Sequence, residues 1–172
     1  LGLTVYSRDG KKEHFRNLNE ALTEELVKRF DFNNPEELKN NPLFIAGIML
    51  YWGEGDKKID NGSIALSNSE PGMIRAFYVF LVNILKTPKE KIAFHLILYP
   101  DLIDSVQKNF WSHATGIPLS QFRKSVFIKG RHPTRRLSYG VGMIRVGSRK
   151  NKEKIMKWIE LYKNEFGNQV IV

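Results

Sequence analysis

The chain contains no cysteine. This excludes a disulfide scaffold and a thiolate zinc site, and it fits a reducing compartment. A membrane-spanning run is also missing. The longest apolar stretch, from Leu43 to Trp52, is well short of the roughly 20 residues a bilayer helix needs. No Walker loop is present. Gly140-Val141-Gly142 has no further glycine at the dinucleotide spacing and opens a strand, so it is no Rossmann fingerprint. The four histidines are scattered and support no Ser-His-Asp arrangement. Asn61-Gly62-Ser63 matches a glycosylation sequon, but without a signal-peptide pattern it is expected to stay unmodified.

Negative charge is scarce in one region only. From residue 121 to residue 163 there are 13 lysines and arginines against two glutamates, a local net of +11. The rest of the chain carries 14 basic and 16 acidic residues, out of totals of 27 and 18. So the whole positive excess lies in the C-terminal third, interleaved with strand-forming residues. That distribution points to a polyanion partner on this segment. What is plentiful is core material: 42% apolar residues, with 11 Phe, 6 Tyr and 3 Trp among 172, which excludes disorder over the whole chain.

Periodicity divides the chain into an extension over 1–40 and a main domain over 41–172. Strands around Asp9-Gly10 read as a hairpin over 3–15. Leu22, Leu26, Val27 and Phe30 make one face of a helix over 19–30. Asn and Pro then punctuate 31–41. Pro42 suits a helix start, and 43–52 continues as a helix apolar nearly all round, stopped by Gly53 and Gly55. A helix of that kind is buried or sits in an interface. A strand over 63–67, a helix from Pro71 to about Lys86 and a strand over 91–99 follow. A helix over 101–115, capped near Asp101, comes next. Segments 122–129 and 140–147 read as paired strands around a basic loop over 130–136. A last helix over 150–166 turns Ile155, Trp158, Ile159 and Tyr162 inward. The three tryptophans, Trp52, Trp111 and Trp158, read as core, and His95, alternating with Phe94 and Leu96, reads as structural.

Ile48-Met49-Leu50-Tyr51-Trp52-Gly53-Glu54-Gly55, followed by Asp56-Lys57, ends an apolar helix on an acid between glycines. Together with the element order from 41 to 166, this resembles the LAGLIDADG homing endonuclease family, in its single-motif, homodimeric form. Two departures stand out. Met49 falls where the family has its first small helix residue, with Ala46 and Gly47 lying earlier. The helix over 101–115 is an apparent insertion. The resemblance implies an α+β fold with helices on one face of a mostly antiparallel sheet, here with an N-terminal hairpin and helix extension. It also implies hydrolysis of phosphodiester bonds in duplex DNA.

In that reading Glu54 is the catalytic and metal-binding carboxylate. The carbonyl of Gly53 shares a Mg2+ or another divalent cation, which takes oxygen ligands. One motif gives one carboxylate per chain, so a homodimer through the Leu43 to Trp52 helix is expected. Asn68 stands where the family often carries a polar, water-positioning residue; capping the Ser69-Glu70-Pro71 turn is the other role open to it. Lys124, Lys129 or Arg145 is expected to supply the cation at the scissile phosphate. Lys57, Lys58, Arg123, Arg131, Arg135, Arg136, Arg145 and Arg149 are the expected DNA contacts, most of them to phosphate. The expected place of work is the cytoplasm, at the nucleoid. A catalytically inactive DNA-binding transcriptional regulator and an RNA-binding splicing helper are the alternatives.

Overall fold

The computed structural model of the protein describes residues 38–129 and 137–167. The expected hairpin over 3–15, the helix over 19–30 and the basic loop with Arg131, Arg135 and Arg136 lie outside the described residues. The described part is an α+β fold with four α-helices and a four-stranded mixed sheet.

Asn41 starts the first helix. Its side chain accepts from the amides of Leu43 (3.0 Å) and Phe44 (3.1 Å), and Pro42 fills the first helical position. Helix α1 (Pro42–Glu54) runs straight through Gly53, contrary to expectation, because a helical glycine costs only about 1 kcal/mol of propensity. Gly55 ends it in an extended conformation. Strand β1 (Ser63–Asn68) leads to α2 (Pro71–Asn83), which the Glu70 carboxylate caps by accepting from Gly72 N at 3.1 Å. Helix α2 stops short of Lys86. The amides of Leu85 and Thr87 fold back onto the carbonyls of Phe80 and Leu81, with Lys86 at φ +51°.

Strand β2 (Ile92–Leu98) is followed by α3 (Asp104–Thr115). The expected cap at Asp101 fails: Asp101 belongs to a turn closed by Leu102 N on Tyr99 O, and Ile103 precedes the helix without a side-chain cap. Strand β3 is only Val126–Phe127, β4 is Val141–Gly147, and α4 is Arg149–Gly167.

The sheet order is β1-β4-β2-β3. Strand β4 pairs antiparallel with both β1 and β2, while β3 pairs parallel with β2. The expected pairing of 122–129 with 140–147 is therefore wrong; β2 lies between them. A parallel pair needs a crossover, and α3 provides it. The helix that looked like an insertion is the element that carries the chain back to lay β3 beside β2.

Ile64, Leu66, Ile92, Phe94, Leu96, Ile144 and Val146 point from one sheet face into the core. They meet Phe44, Ile48 and Tyr51 of α1, Phe77 and Phe80 of α2, Trp111 of α3, and Ile155, Trp158 and Ile159 of α4. Each such fully buried side chain contributes about 1.5–3 kcal/mol of transfer free energy. Trp111 and Trp158 are core, as expected, whereas Trp52 is half-buried and stacks on Phe166 at 6.3 Å. Helix α1 crosses α2 at Gly47, where a Cβ would lie 2.2 Å from the Phe80 ring. No helix among the described residues is long and apolar enough to cross a membrane.

Candidate functional site

Glu54 is the last residue of α1 and is exposed; among the described residues its carboxylate has no hydrogen bond or ion pair. The turn after it is held tightly. Gly55 bridges to Leu66 of β1, and Asp56 N donates to Ala65 O at 2.9 Å. A Cβ on Gly55 would meet the Tyr51 ring and carbonyl at 2.5 Å, so only glycine lets the turn lie this close. Glu54 thus stands at the β1 edge of the sheet.

The outward side of α1 is apolar. Ala46, Met49, Leu50 and Gly53 of α1, with Gly72, Met73 and Ala76 of α2, line an open groove of about 510 Å³ that ends at Glu54. Ile45 and Met73 are 36% and 43% exposed. Gly53 differs from Gly47 and Gly55: a Cβ there would meet nothing within 4 Å. The small residue has no packing reason among the described residues.

The sheet face away from the helices carries Ala65 and Ser67 of β1, Met143 and Arg145 of β4, and Ala93 and His95 of β2. The register sets Ala65, Arg145 and Ala93 in one row and Ser67, Met143 and His95 in the next. Arg145 is exposed beside alanines on both neighbouring strands. Arg123 N donates to Phe94 O at 2.8 Å, which brings the start of the β3 segment against β2. His95 has its pKa pushed below the usual histidine value, first by burial and then by the charges of Arg145 and Arg123. So His95, read from the sequence as structural, lies on the open sheet face beside two cations. The alternation of Phe94, His95 and Leu96 was the available signal, since two of the three must face the core and the third must not.

The expected site residues fall into two groups. Glu54, Gly53, Lys57, Lys58 and Asn68 gather along the β1 edge. Lys57 and Lys58 are exposed in the turn, where Lys58 N donates to Asp56 Oδ1 at 3.0 Å. Asn68 lies two residues along β1 from Leu66, and its Oδ1 accepts from Glu70 N at 2.8 Å, the capping role. Lys124 and Lys129 flank β3 at the opposite edge. Three strand spacings, about 14 Å, separate the two edges. Arg145, on the strand next to β1, lies nearer to Glu54 by register. Arg149, at the start of α4, is exposed and paired with Glu153 at 3.2 Å.

Two oxygens per chain, the Glu54 carboxylate and the Gly53 carbonyl at a helix end, fit a hard divalent cation in type but not in number. No group of three or more His, Asp or Glu is placed to hold a metal among the described residues. No family model, curated protein or solved structure matches the chain.

Proposed function

We propose that the chain is a LAGLIDADG-like endonuclease that hydrolyses duplex DNA as a homodimer with a divalent metal, Mg2+ being the natural choice. The observation that carries this reading is Glu54: an exposed carboxylate, without a partner among the described residues, at the end of an outward apolar helix and at the rim of a basic sheet face. Two copies joined along Ala46, Met49 and Gly53 would bring two Glu54 carboxylates together and remove the shortfall in ligands. Glu54 and the Gly53 carbonyl would then hold the ion, which when bound activates water and offsets charge on the phosphate. Arg145, Arg123 and Lys124 bind the DNA backbone, and His95 faces the same duplex.

Glu54→Gln keeps the size of the side chain and removes its charge. It is expected to abolish cleavage of a bound duplex in Mg2+ or Mn2+ while leaving DNA affinity within about twofold. A variant that cuts at the parent rate ends the metal assignment. A second reading, a non-cleaving transcriptional regulator, is favoured by the placement of Lys124 and Lys129 at the edge far from Glu54. Tight, specific binding by the parent with no cutting in either metal would select it.

A further inference from the structure

We infer that Lys152 of α4 is a positioning residue for the Glu54 turn, an inference that rests on the proposed role of Glu54. Lys152 is fully buried, which is rare for lysine. Its Nζ donates to the carbonyls of Asp56 and Ser63, the latter at 2.9 Å, and lies 5.6 Å from the centre of the Tyr51 ring. Those two carbonyls stand at the start and the end of the connection between α1 and β1. One ammonium group therefore closes the connection at its base. The Tyr51 hydroxyl donates to the same Asp56 carbonyl. Asp56 also gives its amide to Ala65 O and accepts on its side chain from Lys58 N and from Asn61 Nδ2 at 2.5 Å. Two residues after Glu54, the backbone is gripped from α1, β1 and α4 at once.

A buried ammonium is costly unless its hydrogen bonds are met, and burial accordingly pushes the Lys152 pKa down. Closing a loop does not require that cost, since backbone bonds do it elsewhere in this fold. Fixing an acid does require rigidity, because an error of 1 Å at a reacting group lowers a rate by as much as about 100-fold. The cation also comes from a helix whose first turn sits beside the end of this connection: a Cβ on Gly62 would lie 3.7 Å from Arg149. The signal was in the sequence. Lys152 falls in step with Ile155, Ile159 and Tyr162 on the buried stripe of α4.

The test uses the full chain. Lys152→Met removes the donors and keeps an apolar stem. Lys152→Cys, the only thiol in the chain, can be aminoethylated while unfolded and refolded to restore an ammonium at the same reach. Tyr51→Phe removes the second donor to Asp56 O without touching Lys152. The readouts are hydrogen exchange of the Asp56 amide by NMR, kcat and KM for cleavage, and DNA affinity. Lys152→Met should speed exchange at Asp56 at least about tenfold while amides of β4 stay unchanged, and lower kcat about tenfold with KM held. Aminoethylation should reverse both effects, and Tyr51→Phe should give a smaller change of the same kind. Unchanged exchange at Asp56, or faster exchange throughout β4 as well, overturns the inference. A parent that does not cut, with the local exchange effect intact, overturns the endonuclease reading and leaves the grip on the turn standing.

Discussion

The two faces of β4 differ in what they can tolerate. Gly142, Ile144 and Val146 point to the helices and are sealed, whereas Met143 and Arg145 point away from them. Within three residues of one strand the chain passes from a position that admits no extra methyl to one that displays a cation. On the closed face shape decides, because the interior is packed to crystal-like density. On the open face charge decides, because most side chains there are small or polar and the Arg145 guanidinium stands clear between alanines.

The largest expected effect that would break this contrast is at Gly142. A Cβ there would lie 2.7 Å from both Phe94 and Trp111. Gly142→Ala should therefore cost about 1–3 kcal/mol in denaturant unfolding, since the rings must shift. An unchanged midpoint would show that the closed face yields more readily than its packing implies.

Arg145→Ala, three residues on, should change stability by less than about 0.5 kcal/mol. On the proposed function its effect belongs to binding. DNA affinity should fall, and the slope of log affinity against log salt should become shallower by about one. A parent protein whose affinity is flat in salt would remove the basis for assigning the open face to a polyanion.

The smallest effect concerns His95. Its folded pKa lies below its ordinary value, so its contribution to stability is present above about pH 6.5 and is lost as the pH falls through the folded value. A phosphate on the same face favours the protonated ring, which would join Arg145 and Arg123 as a third cation. DNA binding should thus tighten a few-fold between pH 7.5 and 5.5, and His95→Gln should abolish that dependence while leaving affinity at pH 7.5 nearly unchanged. Equal pH profiles for parent and variant would take His95 out of the contact surface.

Much of the fold was legible in the sequence because hydrophobic period is a local property. Ile155, Trp158, Ile159 and Tyr162 marked the inner side of α4, and Asn41-Pro42 marked the start of α1. Partner choice between strands is not local. Segments 122–129 and 140–147 follow one another in the chain, which favoured a hairpin, but the parallel register of Val126 on Ile97 depends on a crossover helix that looked like an interruption. Site chemistry divided in the same way. Glu54 stood out because glycines flank it. Lys152 was legible only as a position on the buried stripe of α4, since a lysine in a lysine-rich helix gives no sign of what its ammonium holds until the connection it closes is seen. His95 read as structural from its alternation with Phe94 and Leu96, and the cations that share its face became visible only with the strand register.

The order β1-β4-β2-β3 has a consequence for synthesis. Strand β4 pairs with both β1 and β2, yet it follows β1 by more than 70 residues. A chain emerging from the ribosome therefore carries the unpaired edges of β1 and β2 until residue 147 has been made. Non-local pairing of this kind slows folding and exposes sticky strand edges meanwhile. The sheet waits for residues 141–147 before β1 and β2 can be joined, and a truncation anywhere before β4 leaves an aggregation hazard where the finished fold has a core.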